Sequence, residues 1–382
     1  MLDTVILSLD ISEFRVMTTH YNRWSPDITR YLIPPYHKLG GCKFAIATRT
    51  PTKNDKLNGL YLPRLKLIRA VRSGGYSTRL YMELSAPKVV FNNNFDELGD
   101  GDFDNLCKQL AKTLRRLGIV VDKETIKNAS VNAIHYSKNV ILNDGRLART
   151  LVQELAKTNV STRRQTKRKT YGDDGEAMYF HTNKWAFVAY DKLAELRHSR
   201  LSSKGLFEKD YYCQLSLFDE YTPSTPFEVL RLEARYTDRR TIKSNLKKAG
   251  IRYSNELTFA ELYSENTAKT ILLHELNDLE LATPDIMLSN SDTGRLVAEL
   301  VVNNPNAQTS TLVEAIGLRT MLDQYGSRGA RSMLNANSGQ WSRLIAKNKK
   351  LNFTRQGHDG IATIRQSVEL FRRVKLTNYK EK

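Results

Sequence analysis

The hydrophobic period of the chain changes once along its length, and that change constrains the fold more than any other feature. Up to Tyr236 the apolar residues fall largely in short runs bounded by turn residues, the pattern of β-strands. From about Leu257 onward they recur at helical spacing, with breaks at Pro284, Pro305, Gly317, Gly326-Ser327 and Gly339. The strand runs are residues 4–9, 43–49, 60–71, 79–85, 131–138, 176–181, 184–190 and 227–236. Gly74-Gly75 and Thr182-Asn183 supply hairpin turns. Helices intervene: Phe103, Leu106, Cys107, Leu110, Leu114 and Leu117 share one face, with Asp102 placed to cap and Gly118 to stop. Two more are expected over residues 146–157 and from Asp191. This order predicts an α+β domain over residues 1–250 followed by a helical region over 255–382.

Charge narrows the partner. Lys and Arg number 59 against 41 Asp and Glu, a net charge of +18. That excess fits a polyanion, either nucleic acid or an anionic membrane. No apolar run is long enough to span a bilayer, and the opening MLDTVILSLDI carries Asp3 and Asp10, unlike a secretory signal. Cys42, Cys107 and Cys213 are too scattered for a disulfide framework or a metal pair. A soluble, cytoplasmic protein that touches nucleic acid, with no membrane partner, is expected. The tract Arg163, Arg164, Lys167, Arg168 and Lys169 suits phosphate contacts or a mobile surface. Neither G-x-S-x-G nor a G-x-x-x-x-G-K-[ST] phosphate loop occurs, which argues against triad hydrolysis and ATP-driven chemistry.

Alternation places the candidate site. In FEVLRLEARY, Leu230, Leu232, Ala234 and Tyr236 form a core face, while Arg231, Glu233 and Arg235 share the other. A carboxylate between two guanidiniums suits a divalent cation or a phosphate, and equally an ion-pair ladder on a solvated face. In VNAIHYSK, His135 lies opposite Ile134 and Tyr136, as a metal ligand or a hydrogen-bonded structural residue. Glu83 shares a face with Tyr81 and reads as a ligand or a surface charge. Tyr190 ends an apolar strand just where YDKLAEL starts a helix. A tyrosine there is held rigidly, and Lys192 with the helix N-terminus brings positive charge to its oxygen. The alternative is a tyrosine packed at a core edge.

Taken in order, these segments resemble the replication initiator endonucleases of filamentous phages, the gene II/gene X family, and their plasmid rolling-circle Rep relatives. The pieces are MLDTVILSL at the start, residues 82–98, 130–139, 185–198 and 229–235, which together cover most of residues 1–250. The resemblance implies a central, mainly antiparallel sheet with helices on one face and the active site on the other. It implies nicking of one origin strand by tyrosine attack, leaving a 5′-phosphotyrosine and a free 3′-OH, and later rejoining. Tyr190 is then the nucleophile, Lys192 its neighbour, and Glu233 and Glu83 metal ligands for Mg²⁺ or Mn²⁺. His135 stands where relatives often carry aspartate. Arg231, Arg235 and the basic tract would contact DNA. Origin DNA, host helicase and polymerase, and a second protomer are the implied partners. Residues from about 255 would bind the origin or that protomer, with residues 312–317, 318–325 and 330–334 as a helix-turn-helix broken at Gly317. Two rivals remain at this stage: a non-enzymatic DNA-binding protein, and a small relaxase or transposase.

Overall fold

The computed structural model describes residues 1–28, 44–52, 55, 61–72, 75–143, 145–158, 167–171, 176–201, 228–282, 293–352 and 360–375. The strands are β1 (Leu2–Asp10), β2 (Arg15–Val16), β3 (Phe44–Arg49), β4 (Arg64–Arg72), β5 (Gly75–Ser85), β6 (Ile119–Val120), β7 (Ser130–Leu142), β8 (Lys167–Tyr171), β9 (Ala177–His181), β10 (Trp185–Asp191) and β11 (Glu228–Tyr236). Nine of them form one sheet in the order β3-β4-β5-β1-β7-β11-β10-β9-β8, with every pair antiparallel. β2 and β6 pair separately. The α+β class expected from the change of period is the observed one.

The helices are α1 (Ala86–Phe91), α2 (Phe103–Arg116), α3 (Lys123–Asn128), α4 (Ala148–Lys157), α5 (Lys192–Leu201), α6 (Arg239–Lys248), α7 (Phe259–Leu262), α8 (Glu265–Ala282), α9 (Thr293–Asn303), α10 (Thr309–Met333), α11 (Ser338–Asn348) and α12 (Gly360–Leu370). α2 buries Leu106, Cys107, Leu110 and Leu114, the stripe read from its spacing. Gly118 ends it at φ 76, and a Cβ there would collide with the His20 ring.

One face of the sheet carries the main core. Leu230, Leu232, Ala234 and Tyr236 of β11 are buried in it with Leu151, Leu155, Ile242 and Leu246 from α4 and α6. The same core takes in Leu257, Phe259 and Leu262, then Ile271, Leu272 and Leu276 of α8, and Ile361, Ile364 and Val368 of α12. Packing therefore runs unbroken across residue 250, and helices on both sides of it share one hydrophobic interior. Residues 296–351 contribute to a separate core, built from Leu296, Leu300, Ala315, Leu318, Leu322 and Trp341 of α9, α10 and α11.

α10 passes through Gly317 without a break and departs from helical geometry at Gly326, φ 66. Of the two breaks expected in this stretch, the one at Gly317 is absent and the one at Gly326-Ser327 is present. Gly326 lies against the end of α4, where a Cβ would stand 3.1 Å from the Lys157 Cα.

The opposite face of the sheet holds the candidate site. Helices were expected on one face only, yet α5 lies on this one, where Leu196, Phe95 and Val229 form a small cluster joined by Leu193, Ile141 and Val374. Beside it the Glu97 carboxylate takes over the edge of β7. It accepts from the backbone N of Asn139 at 2.6 Å, Lys138 Nζ at 2.5 Å and the backbone N of Val374 at 2.9 Å. The segment after α12 is thereby clamped to the sheet beside the site.

Candidate nicking site

The site is assembled by four adjacent strands, β1, β7, β11 and β10, and the start of one helix. β10 is paired on both sides, to β9 and β11, so the backbone of Tyr190 is fixed. The chain turns into α5 immediately after, and Asp191 Oδ1 accepts from the Ala194 N–H at 2.9 Å, satisfying an N-terminal donor of that helix. Tyr190 pairs with Arg231 and Val188 with Glu233, so the Tyr190 and Glu233 side chains are diagonal neighbours on one face. Tyr190 Oη donates to Glu233 Oε1 at 2.8 Å.

Glu233 is the centre of the arrangement and is buried, 2% exposed. Its carboxylate accepts from Arg231 Nε at 2.9 Å, Tyr190 Oη at 2.8 Å and Arg235 Nε at 2.8 Å, and Arg235 Nη2 lies in ion-pair contact at 2.6 Å. Burial alone would raise its pKa, but the Arg235 and Arg231 guanidiniums hold it far below the usual carboxylate range. The phenol responds in the opposite sense: burial and the Glu233 charge push Tyr190 well above 10. At neutral pH the pair is a carboxylate accepting from a neutral phenol.

Arg231 organises the rest. Nη2 donates to Asp3 Oδ1 at 2.9 Å and Ser137 Oγ at 3.2 Å, and Nη1 to Asn94 O at 3.0 Å and Asn139 Oδ1 at 3.2 Å. With Nε on Glu233, each of its three nitrogens is engaged inside the protein, and the residue is 2% exposed. The sequence placed Arg231 against DNA; the structure turns it inward as the brace of two carboxylates. Arg235 keeps 27% side-chain exposure and lies over the Tyr179 ring, 5.4 Å from its centroid.

Asp3, His135 and Glu233 each present a ligand atom within 4.8 Å of the others. Asp3 was not anticipated. Glu83, the second acid expected beside Glu233, lies outside this group on β5, 46% exposed and 3.8 Å from Arg64. The His135 ring makes no hydrogen bond among the described residues. Burial and the neighbouring Arg235 charge lower its pKa, which keeps it neutral and able to donate a lone pair. Two carboxylates and an imidazole form an O/N donor set that fits Mg²⁺ or Mn²⁺.

Lys192 is fully buried, with Nζ on Glu195 at 2.8 Å and Asn94 Oδ1 at 3.3 Å, and 5.8 Å from the Tyr190 ring centroid. Burial lowers its pKa against the pull of Glu195. Of the other tyrosines, Tyr136 points into the core and donates to Leu262 O at 3.0 Å, so it has no path to this face. Tyr179 lies on the site face, paired with Val188. Lys167, Arg168 and Lys169 belong to β8 at the edge of the sheet, Lys169 paired with Tyr179. Arg163 and Arg164 lie outside the described residues.

No helix among the described residues is long and apolar enough to cross a membrane. No curated protein and no solved structure matches the chain. Residues 64–264, just over half of the chain, match the family model for the N-terminal region of the gene II replication-associated protein. That span holds Tyr190, His135 and Glu233, and the chain therefore belongs to the filamentous-phage gene II-type family of replication initiators.

Proposed function

We propose that this initiator nicks one strand of its origin by transesterification and later rejoins it. The observation that carries the reading is the Tyr190 phenol on Glu233 Oε1 at 2.8 Å, beside the Asp3–His135–Glu233 group. Tyr190 Oη attacks the phosphorus, a P–O bond to tyrosine forms, and the P–O bond to the 3′ oxygen breaks. The phenolic proton leaves along the hydrogen bond to Glu233. Because Glu233 is so weak a base, the proton does not rest there but ends on the departing 3′ oxygen, giving the 3′-OH. Reversal with a new 3′-OH rejoins the strand. One ester replaces another, so no nucleotide is consumed.

Asp3, His135 and Glu233 would hold Mg²⁺ or Mn²⁺, which supplies positive charge to the non-bridging phosphate oxygens. Arg231 fixes both carboxylates, and Arg235, on the exposed side, offers charge to the phosphate. Lys192 ties the start of α5 to Asn94 rather than acting on Oη. Helicase, polymerase and a second protomer are further partners of such an initiator.

The test is incubation with a labelled single-stranded origin oligonucleotide and Mg²⁺ or Mn²⁺, followed by a denaturing gel. A covalent protein–DNA band supports the reading. The full engagement of Glu233 by Arg231, Arg235 and Tyr190 favours one other reading, in which the network is structural and the protein binds DNA without cutting. Binding without any adduct would establish that alternative.

A further inference from the structure

The three-helix unit of α9, α10 and α11 has a core of its own and takes no part in the site on the sheet. After the break at Gly326, the last arm of α10, a turn over residues 334–337 and α11 form a helix–turn–helix. α11 begins on a capping box: Asn337 Oδ1 accepts from the Gln340 N–H, and Gln340 Oε1 from the Asn337 N–H, both at 2.9 Å. Trp341 is buried against the unit's core, and Leu344 and Ile345 pack beside it. That anchorage turns Gly339, Ser342, Arg343, Ala346 and Lys347 outward along one exposed stripe.

The charge on this arm is one-sided. From Gly326 to Asn352 the sequence carries Arg328, Arg331, Arg343, Lys347, Lys349 and Lys350 and no Asp or Glu. Lys347 pairs with Glu314 of α10, and Arg343 Nε bonds Gly339 O at 3.4 Å. Lys349 and Lys350 are exposed just past the helix end. A surface of this kind attracts a phosphate backbone. Single strands are gripped by stacking on exposed aromatic rings, and the lone aromatic residue of α11, Trp341, is 6% exposed. A rigid, basic helix without stacking rings fits the major groove of a duplex instead.

We propose that α11 is the duplex-reading element of this initiator, lying in the major groove with Arg343, Lys347, Lys349 and Lys350 on phosphates and base edges. The proposal rests on the reading that the chain acts on DNA. It assigns duplex capture to α11 and strand chemistry to the sheet.

The test uses the full chain carrying Arg343→Gln, Lys347→Gln and Lys350→Gln together. Binding to a random-sequence duplex oligonucleotide, and to a single strand of equal length, is measured by anisotropy across a salt series. A matched control removes equal charge from the exposed face of α2 through Lys108→Gln, Lys112→Gln and Arg115→Gln. The α11 variant is expected to bind duplex roughly 10-fold to 100-fold more weakly, with the salt slope reduced by about two to three units. Its single-strand binding stays within about twofold of wild type, and the α2 control binds duplex nearly as wild type does. Should the triple variant fail to fold, Ser342→Glu alone places a carboxylate on the same exposed stripe and is expected to weaken duplex binding selectively. Wild-type duplex affinity in the α11 variants, or an equal loss in the α2 control or on single strands, overturns the proposal. Covalent adduct formation is scored separately: its absence from every form, with duplex binding still dependent on α11, would sink only the nicking reading.

Discussion

The phenol of Tyr190 and the carboxylate of Glu233, on adjacent strands and diagonal in register, share a hydrogen bond of 2.8 Å in which tyrosine is the donor. Two guanidiniums hold the acceptor ionised, and burial holds the donor neutral. In the proposed reaction Tyr190 would thus be held in place as a neutral phenol, to be activated by the charge that a phosphate and its cation bring.

Tyr190→Phe removes the proposed attacking oxygen and one of three hydrogen bonds to Glu233. Cleavage and adduct formation should disappear. Stability should fall by only about 1–2 kcal/mol, because Arg231 and Arg235 still satisfy the carboxylate. Denaturant unfolding beside the nicking assay checks both halves. Retained nicking would move the assignment to Tyr179, which shares the face.

Glu233→Gln acts more broadly than the loss of a ligand. It leaves two guanidiniums, one buried and one partly so, without their shared carboxylate, and is expected to cost about 3 kcal/mol or more. Nicking should fall by orders of magnitude. A stability change below about 0.5 kcal/mol would contradict the network described here, since surface substitutions remain within that range.

Asp3→Asn and Glu83→Gln separate the two candidate third ligands. Asp3→Asn should raise the Mn²⁺ concentration needed for half-maximal nicking by roughly tenfold or more, and reduce any Mn²⁺-dependent rise in melting temperature. Glu83→Gln, on an exposed residue 3.8 Å from Arg64, should change neither. The reverse pattern would return Glu83 to the site.

A chain ending at residue 250 should not fold. Leu257, Phe259, Leu262, Ile271, Leu272 and Ile364 are all nearly inaccessible in the core that carries the sheet. Each is worth about 2 kcal/mol of burial. Together they amount to about 12 kcal/mol, as much as the whole net stability of an ordinary domain, about 5–15 kcal/mol. Excising the three-helix unit while keeping α8 and α12 should leave a cooperative unfolding transition. Circular dichroism melts of the two deletions decide the point.

Acid should loosen the clamp after α12. Burial would raise the Glu97 pKa, but the Met1 amine, Lys138 and the Asn139 N–H together lower it below its ordinary 4.5. A carboxyl depressed in the folded state contributes stability that is complete above the unfolded value and lost as pH falls through the folded one. Wild type should therefore lose denaturant resistance below about pH 4.5 more steeply than Glu97→Gln. Parallel curves for the two would remove Glu97 from the acid response.

The strand pattern was legible because alternation reports which residues share a face, and β11 places Arg231, Glu233 and Arg235 together as its spacing requires. Asp3 was not. In phase with Val5, Leu7 and Leu9, it should face the core. The pairing of β1 with β7 shifts between Leu2 and Val5, where three steps on one strand oppose two on the other, and that bulge sends Asp3 to the site. A charge in the apolar phase of a strand was the available signal. The inward turn of Arg231 was hidden for a different reason. It depends on Asn94, Asn139 and Asp3 arriving from distant segments, which no single strand's sequence displays. Gly317 and Gly326 are alike in sequence, and only the approach of α4 to Gly326 separates them.

The most direct measurement of the central claim is peptide mapping of the covalent adduct by mass spectrometry. Trypsin releases Tyr190 in the peptide WAFVAYDK, residues 185–192, in which it is the one tyrosine. After reaction with a single-stranded origin oligonucleotide and Mn²⁺, and nuclease trimming, the account predicts a nucleotide 5′-phosphate on that peptide in wild type and on no peptide in Tyr190→Phe. An adduct on the peptide bearing Tyr179, or nicking with no adduct on any tyrosine, would contradict it.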